Sequence, residues 1–319
     1  MTKEVINYVH CDVFANSQFS GNGLTTFFLD DNPQLYSESL LLNITQEMKH
    51  FESIFINIDS NVINLDGIPA VTVFGRIFAL SGELSFAGHP LLGAAASIHD
   101  KYWCNIPEIQ IMFKLGNNRI VPVNVHQLEN GVYDATMSQG IPEFLNIIES
   151  FEQQRELLNA LNLNFVDYDS QYPIEIISTG LKCLIIPVKN YATLSKAKII
   201  DPQFDALLKK YDADLVYVVD LETKTARTWE NDGSIEDAAT GSAAGPLGAY
   251  MVKHRIAKSN ETIEINQGEF IHRESKLFVK IMDNCDDVLV TGRVYIVGSG
   301  HIKIKSLPEL TKVNTQVTI

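Results

Sequence analysis

Short runs of β-branched and aromatic residues, many of them alternating with polar residues, recur along the whole chain. Runs of this kind predict strands. The predicted strands cover 5–14, 24–29, 53–58, 70–78, 109–113, 120–127 and 132–137 in the first half and 174–178, 182–188, 215–220 and 225–229 in the second, with four more up to residue 304. Because strands far outnumber helices and do not alternate with them regularly, the pattern favours an α+β fold over a doubly wound parallel sheet.

Two kinds of helix are predicted between these strands. Segments 35–48 and 147–160 have ordinary helical spacing, and 138–144 is interpreted as a linker because it contains Gly140 and Pro142. Segments 90–99 and 243–254 consist largely of small and apolar residues, above all Leu, Ala and Gly. A helix without a polar side should be buried, with sheet wrapped around it.

The two small-residue helices follow similar sequences. Glu83 to His89 aligns with Glu236 to Ser242, and each segment follows a predicted strand and leads into one of the two helices. The repeat predicts two pseudo-symmetric domains, 1–138 and 139–319, that face each other across a cleft. Each would be a barrel-like, mostly antiparallel sheet around a central buried helix, and the last strand is free to return to the first domain.

Composition narrows the class of partner. The 319 residues carry 25 basic and 39 acidic side chains, a net charge of −14. The overall electrostatic field of so acidic a protein does not attract nucleic acid or an anionic membrane surface, which leaves a small molecule as the expected partner. No apolar run approaches the about 18 residues of a membrane span, and the first residues lack the apolar stretch of a signal peptide. We therefore expect a cytoplasmic protein without membrane contact.

No motif indicates a metal or a cofactor. The four cysteines are far apart, and no histidine pair has zinc spacing. Gly298-Ser299-Gly300 lacks the third glycine of a dinucleotide site, and no phosphate-binding P-loop occurs. We expect neither a metal nor an organic cofactor.

The two helix starts are candidate anion sites. Gly88-His89-Pro90 places a proline in the first turn of one helix, and Gly241 to Ala243 would present backbone N–H groups that no large side chain covers. Asn22, between two glycines, lies in a turn or a loop facing an anion. Two such helix starts facing each other would hold a carboxylate. The alternative interpretation is ordinary helix capping, with glycine allowing close packing.

Four side chains are candidates for the chemistry. Glu52 stands at the mouth of an apolar strand, where partial burial would raise its pKa into the range of general acid–base catalysis; the alternative is an exposed charge at a strand end. His89 is either functional or a capping or core histidine, and Asp237 is either functional or a charge that complements a helix dipole. Ser242, His89 and Asp237 could also form a hydrolase triad, although the sequence around Ser242 is not that of a nucleophile elbow.

Six segments, in this order, resemble one known family. They are Asp12-Val-Phe with Phe19-Ser-Gly-Asn22, Glu52-Ser53, Glu83 to Pro90, Ser178-Thr-Gly180, Glu236 to Pro246, and Gln267-Gly268. Together they are similar to the phenazine biosynthesis PhzF-like family, within the diaminopimelate epimerase-like fold. The resemblance implies two pseudo-symmetric domains, an active cleft between them and a homodimer.

The resemblance also implies roles for residues. The family's catalytic glutamate falls on Glu52, and its supporting residues fall on His89, Asp237 and Ser242. Related epimerases use two cysteines at the helix starts, where this chain has His89 and Ser242, so a two-thiol racemase is disfavoured. The resulting hypothesis is a cofactor-independent isomerase that moves a proton on a small carboxylated substrate. The alternatives are a serine hydrolase and a non-catalytic protein that binds a small molecule.

Overall fold

The computed structural model describes residues 4–65, 67–116 and 119–304. The strands are β1 Glu4–Val13, β2 Asn22–Phe28, β3 Glu52–Leu65, β4 Ile68–Ala79, β5 Gly82–Leu84, β6 Glu108–Lys114, β7 Ile120–Glu129, β8 Val132–Ser138, β9 Glu143–Ile147, β10 Glu175–Ser178, β11 Lys182–Val188, β12 Leu215–Asp220, β13 Thr225–Arg227, β14 Thr262–Gln267, β15 Ser275–Ile281 and β16 Val288–Ile304. The helices are α1 Glu38–Met48, α2 Gly88–Tyr102, α3 Phe151–Ala160, α4 Tyr191–Leu194, α5 Phe204–Lys210 and α6 Gly241–Lys253.

Eight strands close into a ring in the first half of the molecule. Their order is β1-β2-β3-β4-β6-β7-β8-β16, and β16 pairs with β1 to complete the circle. β16 comes from the end of the described chain and is 17 residues long. Its first part pairs with β8 and β15, and its second part pairs with β1. One strand therefore belongs to both halves of the sheet.

The second half repeats the pairing pattern of the first. From β16 the sheet continues through β15, β14, β13, β12 and β11 to β10 and β9. The parallel pairs β2–β3 and β4–β6 have counterparts in β11–β12 and β13–β14, and antiparallel pairs fill the same intervening places. The equivalent strands β8 and β16 pair with each other, with the hydroxyls of Thr136 and Thr291 2.7 Å apart. The predicted α+β fold with two pseudo-symmetric halves is confirmed.

Each half has one small-residue helix at its centre. α2 packs against strands of the closed ring, and α6 packs against β10, β11, β15 and β16. Glycine is required where the strands come closest. A Cβ on Gly93 would lie 2.5 Å from Leu24, and one on Gly248 would lie 2.5 Å from Val279. Both helices are buried as the absence of a polar face predicts.

The aligned glutamates of the repeat make equivalent contacts. Arg76 on β4 donates two hydrogen bonds to Glu83, and Arg227 on β13 donates two to Glu236. Each arginine also donates to backbone carbonyls of a neighbouring segment. We call these two arrangements the arginine clasps. Each clasp fixes the chain just before a central helix begins.

Several predicted boundaries were wrong. Residue 147 ends strand β9, and helix α3 begins only at Phe151. The predicted linker 138–144 contains the end of β8 and the start of β9. After residue 260 three strands are described instead of four, because β16 continues through Gly298 and Gly300. Glycine is needed at position 300, because a Cβ there would lie 2.7 Å from the hydroxyl oxygen of Tyr8.

Within the described residues, every helix is too short or too polar to cross a bilayer. The proposed domain boundary at residue 138 coincides with the end of β8 and stays a prediction.

Candidate active site

A cavity of about 520 Å³ lies where the two central helices begin. Its wall is built from both halves of the chain. The first half contributes Glu52 and the start of α2, and the second contributes Asp237 and the start of α6. The volume lies in the range of small-molecule sites. A cavity therefore lies at the two helix starts, and its identity as the active cleft stays a prediction.

Glu52 is the first residue of β3 and lies next to His89 in the wall of the cavity. It is held between β2 and β4, opposite Leu24 and Ala79. Its Oε2 atom lies 3.2 Å from Nδ1 of His89, but the two groups are not aligned as a hydrogen bond. Oε2 of Glu52 and Nε2 of His89 are both buried without a hydrogen-bond partner. Buried polar atoms are almost always paired, so these two atoms are available to a bound ligand.

Burial drives both side chains toward their neutral forms. Loss of solvent, followed by the charges of Asp237 and Glu230, raises the pKa of Glu52 to about 8. Loss of solvent lowers the pKa of His89 to about 4. At pH 7 His89 is therefore an uncharged imidazole, and Glu52 is a carboxylic acid with a minor ionised fraction. A carboxyl whose pKa lies near the working pH can both accept and release a proton.

Asp237 is fixed by three hydrogen bonds. Asn22 donates through Nδ2 at 2.9 Å, the N–H of Ala239 donates at 3.3 Å, and the hydroxyl of Thr240 donates to the other carboxylate oxygen. Burial raises the pKa of Asp237, and the hydrogen bonds from Thr240 and Asn22 act against that rise. The second hydrogen of the Asn22 amide is donated to the carbonyl of Ala239. Asn22 is therefore a support for Asp237 and lines neighbouring cavities instead of the main one.

Two glutamines complete the site, and residue spacing did not indicate them. Gln267 donates to the carbonyl of Asp237 and to the hydroxyl of Thr240, and it accepts from Tyr217. Gln139 lines the cavity and donates to the carbonyl of Gly241. Gln267 lies in one of the segments that resemble the family, and this resemblance was the only indication of a role for it in the sequence. Gln139 lies in the segment that was interpreted as a linker, so nothing in the sequence indicated its contact with the site.

The helix starts meet the cavity as expected. Gly88 and Gly241 both line it, and neither helix has a side-chain cap. A Cβ on Gly241 would lie 2.9 Å from the ring of Phe14, so glycine is needed there. Ala243 is fully buried behind the wall, and its N–H is bonded to the carbonyl of Thr240. Unsatisfied N–H groups at a helix start attract anions.

The hydrolase triad is not assembled. Ser242 lines the cavity. However, Nε2 of His89 has no hydrogen-bond partner, and Asp237 accepts from Asn22, Thr240 and Ala239 instead of from a histidine. A triad requires serine, histidine and carboxylate to be linked in sequence. Across 4–65, 67–116 and 119–304, moreover, no group of three or more His, Cys, Asp or Glu side chains is arranged to hold a metal ion.

Comparison with known proteins finds similar sequences and structures over most of the chain. The chain is 30% identical over 300 residues to a trans-2,3-dihydro-3-hydroxyanthranilate isomerase of Pseudomonas chlororaphis, covering 92% of this chain and 96% of that protein. A predicted epimerase from Pseudomonas aeruginosa has a similar structure, with a TM-score of 0.80, 32% identity, and coverage of 93% of this chain and 98% of that one. A hydroxyproline epimerase from Agrobacterium vitis shares the fold at 10% identity, with a TM-score of 0.57 and coverage of 98% and 95%.

The family model described as phenazine biosynthesis-like protein matches residues 11–300, which include every candidate residue of the cavity. The resemblance found in the sequence is confirmed. The chain belongs to the phenazine biosynthesis-like, or PhzC-PhzF, protein family.

Proposed function

We propose that this protein is a cofactor-independent isomerase that moves a proton between two carbons of a small carboxylated substrate. The observation that carries the proposal is the pair of unpartnered atoms, Oε2 of Glu52 and Nε2 of His89, at the wall of a cavity that also contains two uncapped helix starts. Relatives named as isomerases support the same class of reaction.

Glu52 carries the proton in this proposal. Its ionised form takes a proton from one carbon, and the resulting acid returns that proton to another carbon on the same face. No second base is required. The electron density released from the first carbon spreads toward the substrate carboxylate. The N–H groups at Gly88 and Gly241 stabilise that charge where it develops.

The other side chains position the substrate. Neutral His89 presents Nε2 to a polar substituent, and Ser242 provides a single hydrogen bond. Asp237, held by Asn22 and Thr240, places a fixed carboxyl group in the same cavity as Glu52. The substrate to test first is trans-2,3-dihydro-3-hydroxyanthranilate, because it is the substrate in the names of similar proteins and carries the expected carboxylate.

Substitution of Glu52 tests the mechanism. Glu52→Gln keeps the size of the side chain and removes the proton carrier, so turnover should fall by at least about 10²-fold while folding is retained. Turnover is measured by NMR with trans-2,3-dihydro-3-hydroxyanthranilate. For the wild-type protein kcat/KM should rise with pH up to about 8, where Glu52 becomes ionised.

Ser242→Ala is the matched control. It removes one neutral hydrogen bond and should cost about 0.5–1.5 kcal/mol. A hydrolase would show the reverse order, with Ser242→Ala inactive and the wild-type serine labelled by a fluorophosphonate. A non-catalytic binding protein would bind the ligand equally well in both variants without converting it. Near-normal turnover in folded Glu52→Gln protein would refute the proposed mechanism.

The expected setting of the enzyme is also a proposal. We infer a homodimer in the cytoplasm that binds neither nucleic acid nor membrane. Light scattering after size exclusion and fractionation of cells that express the protein test these two properties.

A further inference from the structure

A second, smaller cavity lies beside the active-site cavity. Its volume is about 90 Å³, and Glu52, His89 and Asp237 line its inner side. The remaining wall includes Glu230 and the side chains of Phe51 and Ile235, each 44% exposed. A space of this size has room for at least one water molecule. The small cavity thus connects the buried carboxyl groups to residues at the surface.

Glu230 is the acidic group at the outer end of this cavity. Glu230 is exposed and lies in a tight turn. Its backbone N–H donates to the carbonyl of Ile235, and its own carbonyl accepts a hydrogen bond from the N–H of Gly233. Through the residues that the structure describes, the Glu230 carboxylate makes neither an ion pair nor a side-chain hydrogen bond. Partial burial, followed by the charges of Asp237 and Asp232, raises the pKa of the Glu230 carboxyl, which makes it a better acceptor for a proton from Glu52.

The other groups at this cavity are less suited to exchange a proton with solvent. Asp237 is held by Asn22, Ala239 and Thr240. His89 stays neutral because burial lowers its pKa to about 4. Glu230 combines an exposed position with direct access to the same cavity as Glu52.

We propose that Glu230 is the residue through which a proton held by Glu52 exchanges with solvent across the small cavity. This inference rests on the proposed function of Glu52 as proton carrier. Glu230 does not line the substrate cavity and acts only through Glu52. It is therefore a positioning residue and not a catalytic residue.

The exchange balances without any further reactant. The protonated carboxyl of Glu52 gives its proton to the ionised carboxyl of Glu230 through water in the small cavity. Glu52 is then ionised and Glu230 is protonated. Glu230 releases the proton to bulk solvent, and the reverse sequence reloads Glu52. In D2O the same sequence places a deuteron on Glu52, which passes to the substrate carbon.

A pH jump without substrate tests the inference independently of the reaction. Protons are released by photolysis of a caged acid, and time-resolved infrared spectroscopy follows the protonated carboxyl band that is absent in Glu52→Gln. In Glu230→Gln the protonation of Glu52 should be slower by at least about tenfold. Glu230→Asp, which keeps a carboxyl group, should restore much of the rate.

Asp232→Asn is the matched control for charge. Asp232 lies in the same turn, is fully exposed and accepts from the N–H of Ser234, a bond that asparagine can also make. Its charge contributes to the raised pKa of Glu230 without lining the small cavity, so its substitution should change the protonation rate far less than Glu230→Gln does. An unchanged rate in Glu230→Gln, or the absence of a protonated Glu52 band in the wild-type protein, would overturn the inference.

Turnover in D2O supplies a second measurement. With trans-2,3-dihydro-3-hydroxyanthranilate, Glu230→Gln should yield product with less solvent deuterium at an unchanged KM, whereas a purely structural role would change KM or the thermal midpoint. Equal deuterium content in both proteins would contradict the inference. No turnover by the wild-type protein would contradict the proposed substrate and would leave the infrared result decisive for Glu230.

Discussion

Glu52 and His89 illustrate how one physical effect prepares two different groups. Removal from water disfavours any charge, so the acid becomes harder to ionise and the imidazole harder to protonate. The 3.2 Å contact between them is therefore a contact of two neutral groups near pH 7. A neutral pair avoids the cost of a buried ion pair and leaves both groups able to respond to a ligand.

This environment makes stability depend on pH in a defined direction. The pKa of Glu52 is about 8 in the folded protein, against an ordinary value of 4.5. Between these pH values the unfolded chain binds fewer protons at this site than the folded one, so the contribution of Glu52 to stability falls as pH rises. Glu52→Gln should therefore stabilise the protein at pH 8, by on the order of 1–3 kcal/mol, and should have little effect near pH 4.5.

Thermal midpoints of both proteins from pH 4.5 to pH 8.5 measure this dependence. Ser242→Ala, a substitution at the same cavity without a titrating group, provides the reference curve. A difference between Glu52→Gln and wild type that is constant over pH would show that Glu52 is not held in a desolvated position.

At the scale of elements, the arginine clasps are equivalent in geometry and unequal in burial. Both arginines are buried, with Arg76 7% and Arg227 10% exposed, whereas Glu236 is 8% and Glu83 is 32% exposed. Arg227 also stacks on Trp229 and lies near Phe270. The clasp before α6 is therefore more strongly removed from solvent than the clasp before α2.

Removing the carboxylate of each clasp should reveal this difference. Glu236→Gln leaves a buried arginine without its counter-charge and should cost about 3–5 kcal/mol. Glu83→Gln also leaves a buried arginine, since Arg76 is 7% exposed, but water reaches the Glu83 side of the pair, so the cost should be smaller, about 1–3 kcal/mol. Urea unfolding of the two variants is the measurement, and each serves as the control of the other. Equal costs, or the reverse order, would contradict the role of burial.

Local patterns predicted the elements where local sequence decides them. The helices at the centres of the two halves were recognised because their small residues leave no polar face, and strands such as β6 and β7 alternate between buried and solvent-facing residues. Strand β9 was missed because all five of its residues are exposed and its pairing with β10 is a tertiary contact. Its last residue, Ile147, fits the helical spacing of the following segment equally well.

Part of the candidate site could also be predicted from the sequence. The repeated segments indicated His89, Asp237, Ser242 and the two helix starts. The sequence alone did not indicate Gln139, because its contact with Gly241 joins residues 102 positions apart. Nor did it indicate that Asn22 holds Asp237, which lies 215 positions away. Long-range hydrogen bonds leave no periodic signal in the chain.

At the scale of the whole molecule, the sheet depends on one strand. β16 pairs with β8, β15 and β1, so it joins the halves and closes the ring. A chain that ends at residue 287 loses all three sets of pairings and should lack a stable tertiary structure. Near-ultraviolet circular dichroism and the thermal transition measure the loss.

A synthetic peptide of residues 288–304 provides the control for this truncation. Added to the shortened chain during refolding, it should restore part of the tertiary signal, because the pairing partners of β16 remain present. A shortened chain that folds cooperatively without the peptide would show that the ring is stable when open.

The position of β16 in the chain also sets the order in which the protein matures. Domains generally fold from the N-terminus as the ribosome releases them. Here strands β1 to β8 are translated before residues 139–287, and the strand that joins β8 to β1 follows those residues. The ring around α2 can therefore close only after the intervening segment has been made. Until β16 has been translated, β1 and β8 each keep one unpaired edge, and such edges are open to pairing with other chains.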